Sequence, residues 1–465
     1  MRIAVGQTPG VRLSEWRDSL AMVDDLVARA AALRAQLLVL PECVWPAYWL
    51  ASRAAYDAAR NSGLPSPQTF LDRIAALARR HALALCAGYV AERDGALFNA
   101  AALVDASGAR CGAYSKCFLW DFDRRWFTPG DALQPIRTPF GRVGILICAD
   151  ARIPEIAATL VARGAQLLVQ PTAWVNGGTA DMLWNPQPDF LIAARAAEFN
   201  VPIASASKWG REGDTTFVGM SGIRDSRGVL QAQAGATETT VVVADVELSA
   251  GGRVRMNDGE RAVLLAPSTR GNAGHAHSTE VLTSPPPAVA PAAHDRLRAT
   301  ITRWSADTVR VSGASRSAGS TADGGARDAE AAAGAFDVML RADDARGAWI
   351  DSGGARVAVR HSRDLDRFAP TRVDALRGAE LVVAFGEDAP AIALRARAAE
   401  NRIYVAQVTE RELRVFDVRG VPVTPEPRDP PRTPQFRVDL AAAGDKRVAW
   451  ETDVLAGRTP EIYEF

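Results

Sequence analysis

Along the first ~250 residues, short unbroken apolar runs alternate with longer stretches whose apolar positions recur every three to four residues. The short runs Ile3–Val5, Gln36–Leu40, Leu83–Tyr89, Leu97–Val104, Val143–Cys148, Leu167–Gln170 and Pro202–Ser205 are predicted as strands. The periodic stretches Glu15–Ala32, Phe70–His81, Pro154–Arg163 and Phe190–Asn200 are predicted as helices. Such β–α alternation implies a layered α/β domain whose sheets are covered on both faces.

From about Ser284 the texture changes. Thr283–Ala293 (TSPPPAVAPAA) is rich in proline, and Ser312–Ala335 is a low-complexity run of small residues, expected to be mobile or disordered. Ordered patterning resumes at Phe336. The expected organisation is therefore residues 1–280, a linker over 281–335, and a last segment over 336–465. That last segment duplicates part of the first. Arg142–Val169 aligns with Arg356–Val383 without a gap, pairing Val143 with Val357, Asp150 with Asp364, Gly164 with Gly378 and Leu167 with Leu381. The run Arg195–Glu198 (RAAE) returns at Arg397–Glu400, and Asp225, Arg227, Gly228 and Val229 return as Asp417, Arg419, Gly420 and Val421. Three matches in the same order indicate a partial internal duplication, in which Ser362 stands where Cys148 stands.

Composition narrows the function classes. At 465 residues and 48% hydrophobic, the chain can bury more than one core. Lys plus Arg and Asp plus Glu both total 54, so no basic footprint suggests a nucleic acid or an anionic membrane surface. Lys116, Lys208 and Lys446 are the only lysines among those 54 cations, which draws attention to each. The five cysteines (Cys43, Cys86, Cys111, Cys117, Cys148) form no CxxC pair, and the five histidines have no ligand spacing with them. A disulfide framework and a metal site are thus not expected, and neither is a membrane span. With no signal-peptide pattern at the start, the expectation is a cytoplasmic, reduced protein.

Three residues with complementary chemistry follow predicted strands: Glu42 after QLLVLP, Lys116 at the end of CGAYSK, and Cys148 at the end of VGILIC. Ligands and catalytic groups collect at the carboxyl ends of strands in such sheets. A carboxylate can take a thiol proton and pass it to a leaving amine, while an ammonium can favour the thiolate and stabilise an oxyanion. Cys43 and Cys117, adjacent to two of these positions, are read as packing residues on the opposite face.

The surrounding motifs are specific. Leu38–Glu42 (LVLPE), Tyr114–Leu119 (YSKCFL) and Cys148–Glu155 (CADARIPE), supported by Phe98-Asn99-Ala100 and Phe127–Gly130 (FTPG), resemble the nitrilase superfamily of carbon–nitrogen hydrolases over the first ~270 residues. That resemblance implies a four-layer α-β-β-α sandwich, with a smaller α/β domain at the C-terminus resembling its second half. It also implies a Glu–Lys–Cys triad: Glu42 as general base, Cys148 as nucleophile, and Lys116 with the backbone N–H of Ala149 as oxyanion donors. Many members use a second Glu ahead of the F-x-P-G motif, where this chain has Asp123. Asp150 after the nucleophile resembles amidases and carbamoylases more than true nitrilases. The implied substrate is a small amide or carbamoyl compound, with no cofactor and no metal. Nitrile hydrolysis, acyl transfer and a non-catalytic binding role are the alternatives. Aromatic residues crowd the motifs, and Tyr48, Trp120 and Trp174 are the candidates for lining a substrate pocket. The resemblance is compatible with a homo-oligomer, with the C-terminal half-domain acting as a built-in pseudo-partner. Because the copy lacks counterparts of Glu42 and Lys116, one active site per chain is expected.

Overall fold

The computed structural model describes residues 1–179, 181–267, 298–303, 308–314, 336–341, 346–352, 355–387, 389–426 and 434–465. These form two compact units. One comprises Met1–Arg255 together with Ala449–Thr452 and Arg458–Phe465; the other comprises Met256–Val448 with Asp453–Gly457.

In the first unit, strands β1 (Arg2–Pro9), β2 (Leu37–Val39), β3 (Ala84–Arg93), β4 (Ala96–Val104) and β5 (Arg110–Ser115) belong to one sheet. Strands β6 (Ile136–Thr138), β7 (Gly141–Ile145), β8 (Leu167–Pro171) and β9 (Ile203–Ala206) belong to a second. After β10 (Lys208–Glu212) and β11 (Thr215–Val218) extend the first sheet, β12 (Gly222–Arg224) and β13 (Leu230–Gln233) complete the second, and β14 (Thr240–Asp245) returns antiparallel to β1. The order in the first sheet is β11-β10-β1-β2-β3-β4-β5, and in the second β13-β12-β9-β8-β7-β6. The parallel cores are β1-β2-β3 and β7-β8-β9. Helices α1 (Trp16–Ala32) and α3 (Pro67–His81) pack on the first sheet, separated by the short α2 (Arg53–Asn61), while α4 (Pro154–Ala162) and α5 (Ile192–Phe199) pack on the second. The facing sides of the sheets touch through β1, β2 and β3 against β8, β9 and β12. The result is the α-β-β-α sandwich expected from the motifs.

The amphipathic pattern places α1 and α3 within three residues of their expected ends. Ser66 caps α3 by accepting from Thr69 N at 3.0 Å, and Pro67 opens the helix. Two expectations need correction. The run Val143–Cys148 is not strand to its end: β7 stops at Ile145 and Cys148 begins a 3-10 turn over Cys148–Arg152. The predicted helix Phe190–Asn200 begins as a single π turn at Gln187–Leu191 before α5. An apolar run carries no mark of where a strand bends, so these ends were invisible to periodicity.

The second unit opens with α6 (Asp258–Leu265). Strands β15 (Arg298–Arg303) and β16 (Thr308–Ala314) lie inside the range read as linker; the rest of 281–335 lies outside the described residues. Then come β17 (Phe336–Arg341), β18 (Arg346–Ser352), β19 (Ala355–His361), α7 (Phe368–Leu376), β20 (Leu381–Phe385), α8 (Ala391–Asn401), β21 (Tyr404–Val408), β22 (Leu413–Phe416) and β23 (Gln435–Asp439). One sheet runs β17-β16-β15-β23 and the other β18-β19-β20-β21-β22. Their core is shared: Ile301, Val309, Val311 and Leu340 from the first meet Val357, Val359, Leu381 and Val383 from the second.

Candidate active site

Parallel pairing of β7 with β8, and contact of β2 with β8 across the sandwich, bring the ends of these strands together, and Glu42 and Cys148 lie three residues beyond β2 and β7. Beyond β2 the chain turns at Glu42–Cys43, where Glu42 N donates to Thr172 O just past β8 at 3.4 Å. The turn lies against Gly88 of β3, where a Cβ would sit 2.3 Å from Pro41 O and 2.8 Å from Glu42 Cα. Any side chain at Gly88 would push Glu42 out of place. Lys116 follows β5, with its N–H donating to Asn99 O and its carbonyl accepting from Gly130 N, both at 2.8 Å. Cys148 opens its 3-10 turn at φ +46°, a left-handed conformation unusual for a non-glycine residue. Such strain persists only where packing over-determines it, and it is concentrated at functional sites. Asp150 locks the turn: its carboxylate accepts from Ile147 N, Phe118 N and Tyr114 Oη, each at 2.8 Å. Burial pushes the Asp150 carboxyl up to about 6, against those hydrogen bonds.

Glu42, Lys116 and Asp123 meet as a buried charge cluster, each fully excluded from solvent. Lys116 Nζ donates to Glu42 Oε1 at 2.8 Å and to Asp123 Oδ2 at 2.6 Å. Burial alone would lower the Lys116 pKa. The two carboxylates, Asp123 first, outweigh it and hold the ammonium well above its ordinary value. Glu42 is raised by burial and by Asp123, with Lys116 opposing. Burial and the Glu42 charge push the Cys148 thiol up to about 12, so it rests protonated. Its Sγ faces Ala173 O at 3.9 Å.

Glu42, Lys116, Asp123 and Cys148 come together, and Ala149 sits in the Cys148–Arg152 turn. The shorter Asp123 reaches Lys116 directly. Tyr48 places its ring centroid 5.6 Å from Lys116 Nζ and packs on Phe122 and Phe217. Trp120 donates its backbone N–H to Asp123 Oδ2 at 2.9 Å and lies under the Arg152 guanidinium, 5.1 Å away. Trp174 follows Ala173 and is buried, its backbone N–H donating to Ser207 Oγ at 3.3 Å. Trp45 stacks on Phe70, whereas Trp49 and Trp126 form an edge-on pair beside Phe122. Cys43 has φ +40°, so strand alternation does not apply to it; its thiol packs toward Asn99 Oδ1 at 3.4 Å. Cys117 is buried with its thiol toward Ser115 O. All five cysteines are free, and no His/Cys/Asp/Glu group among the described residues could hold a metal ion. No described helix is long and apolar enough to cross a membrane.

Three groups escaped the sequence reading. Asn99 Nδ2 donates to Glu42 Oε1 at 2.7 Å; its FNA motif had marked the position without assigning a role. Lys208, conspicuous only as one of three lysines, donates to Cys43 O at 2.9 Å and to Glu212 Oε2 at 3.0 Å. Glu212 Oε1 accepts from Tyr48 N and Trp49 N, so this buried ion pair clamps the segment that follows Glu42. Nothing in the sequence distinguished Glu212 from an ordinary surface carboxylate.

Residues 2–256 match the family described as carbon-nitrogen hydrolase. The omega-amidase NIT2 of Homo sapiens is 30% identical over 243 residues, a span covering 50% of this chain and 83% of that protein. A hydrolase encoded in the pqqF 5′ region of Pseudomonas protegens is 34% identical over 245 residues, covering 52% of this chain and 81% of that one. Among solved structures, an amidase from Nesterenkonia sp. aligns at 29% identity and a TM-score of 0.45, covering 53% of this chain and 89% of that chain.

Proposed function

The chain belongs to the carbon-nitrogen hydrolase family, and from that premise we propose that it hydrolyses a small amide or carbamoyl compound through a Cys148 thioester. The thiol sulfur attacks the carbonyl carbon as Glu42 takes its proton. The resulting oxyanion rests on Lys116 Nζ and the Ala149 N–H. Collapse of the tetrahedral species breaks the carbon–nitrogen bond, and Glu42 returns the proton to the departing ammonia or amine. Glu42 then draws a proton from water, which attacks the thioester; the acid leaves and the thiol is restored.

One observation carries this reading. Glu42 Oε1 is engaged by both Lys116 and Asn99, while Glu42 Oε2 is buried and has no hydrogen-bond partner among the described residues. A carboxylate held rigid by one oxygen and open at the other, beside a thiol that stays protonated, is arranged to accept a proton during attack rather than to store a thiolate. The Lys116 charge, neutralised twice over, stays on the ammonium and is available to an oxyanion. Tyr48, Trp120 and Trp174 are proposed to wall the acyl side of the substrate.

Incubation with primary amides and carbamoyl compounds should release ammonia and leave an acyl mass on the Cys148 peptide when quenched early. Cys148→Ala should abolish both signals. Ammonia from nitriles alone, or product only when an acceptor amine is added, would replace this reading by nitrile hydrolysis or acyl transfer.

The same reading takes residues 336–465 as a degenerate, non-catalytic copy of the second half of the hydrolase domain. It is supported by matching topology: β18-β19-β20-β21-β22 repeats the pairing senses of β6-β7-β8-β9-β12, antiparallel at both edges and parallel between.

A further inference from the structure

Helix α4, which carries on directly from the nucleophile's turn, is buried from Pro154 through Val161. Packing on one sheet face accounts for one side of such a helix, and a helix buried all round needs cover elsewhere. Glu155, Thr159 and Arg163 recur at four-residue spacing and so form one stripe. All three bond to the end of the chain. Arg458 Nε donates to Glu155 Oε1 at 2.6 Å, Glu464 N donates to Thr159 Oγ1 at 3.1 Å, and Arg163 pairs with the Glu464 carboxylate at 2.6 Å. The Arg458–Glu155 pair is buried, with side chains 1% and 0% exposed. Tyr463 is buried beside it, its hydroxyl accepting from Thr459 N. A second anchor precedes this one: Thr452 Oγ1 accepts the N–H of Asp121 at 2.7 Å. Asp121, at φ +27°, opens the short turn Asp121–Arg125 that carries Asp123.

We infer that residues 449–452 and 458–465, far beyond the family match, form a strap that completes the catalytic unit, with Arg458 and Thr452 as positioning residues for the nucleophile's helix and the Asp123 turn. Neither touches the reacting atoms. Arg458 supplies a buried counter-charge to a carboxylate in the first turn of α4, where the Cys148–Arg152 turn ends. Thr452 ties down the turn whose carboxylate holds Lys116. Small displacements at either place propagate to groups that must align within about an ångström, and a misplacement of that size costs on the order of a hundredfold in rate.

The inference rests on the proposed roles of Cys148 and Asp123, and the test separates the two. In the full chain, Arg458→Met, Arg458→Lys, Thr452→Val, Thr452→Ser and Cys148→Ala are compared for kcat and KM on a primary amide. The rate of Cys148 alkylation by iodoacetamide and the thermal midpoint are read in parallel. Arg458→Met should lower kcat at least tenfold, with KM within twofold and the alkylation rate altered at temperatures where the protein is fully folded. Arg458→Lys should recover part of the loss. Thr452→Val should lower kcat several-fold and Thr452→Ser should restore it. If Cys148→Ala is inactive while Arg458→Met and Thr452→Val both keep kcat within twofold, the strap is structural cover only and the inference fails. A kcat loss that tracks the unfolded fraction and leaves alkylation unchanged overturns it too. If Cys148→Ala stays active, the triad and the strap fall together.

Discussion

Around Cys148 and around Ser362 the chain makes the same frame. Each has a parallel strand, a five-residue 3-10 turn, and a helix that leads to the next strand. The shared details are local: Arg142 N donates to Gln166 Oε1 and Arg356 N to Glu380 Oε2, at 3.1 and 3.2 Å. Gly164 and Gly378, at φ +90° and +98°, each lie against that arginine's guanidinium. The RAAE segments form buried Arg195–Glu198 and Arg397–Glu400 pairs. The strained and buried polar groups are not shared. Cys148 has a positive φ, and Ser362 is not among the described residues that do. Asp150 is buried with three donors, whereas Asp364 is half-buried and pairs with Arg367 at 3.7 Å. Lys446, the one lysine in residues 256–448, donates to Arg402 O. What separates the two regions is strain and buried charge at one turn, not the frame that presents it.

The most severe test of that contrast is Cys148→Ser, which gives the first region the second region's residue. Turnover should fall by about 10⁴-fold or more, as for loss of a nucleophile elsewhere. Steady-state ammonia release measures it, and a serine variant with appreciable activity would erase the chemical distinction. Removing a partner comes next. Glu42→Gln and Lys116→Met should each cost about 10²–10⁴-fold in kcat, the span for a general base or an oxyanion donor. Each also strips one member from a buried ion pair, at about 3–5 kcal/mol of stability, visible as a lowered denaturation midpoint.

Asp123→Asn should act more gently and in a defined direction. Asp123 raises the Glu42 pKa and helps keep Lys116 charged. On the proposed mechanism activity requires Glu42 to be ionised and is lost as pH falls through the Glu42 pKa. The variant should therefore shift the acid limb of the kcat/KM profile to lower pH, and the basic limb downward with it, for about a tenfold loss at the optimum. An unmoved acid limb would remove Asp123 from the site. Smallest of all, Ser362→Cys should leave kcat within twofold of the parent and, placed in Cys148→Ala, restore no ammonia release. Recovery of turnover there would make the second region a site rather than a frame.

The candidate trio was legible because motif and strand-end position coincide at Glu42, Lys116 and Cys148. Asn99, Lys208 and Glu212 were not legible, because their roles depend on which backbone groups they meet across the sandwich. The 3-10 turn at Cys148 carries the apolar pattern of a strand, since an apolar sequence is equally compatible with a strand and with a buried bend. The strap was invisible for a related reason: Glu155 and Arg458 are 303 positions apart, and neither carries a local pattern that names the other.

The sequence alone determined the layered α/β class and marked Glu42, Lys116 and Cys148 and the aligned segments 142–169 and 356–383 as candidates, because periodicity and short motifs are local properties that survive in one dimension. Tertiary structure decided the rest. Which oxygen of Glu42 is engaged, how burial sets the thiol and ammonium, and which distant segment closes over α4 all follow from desolvation and close packing. Those arise only when sheets and helices bring remote residues together.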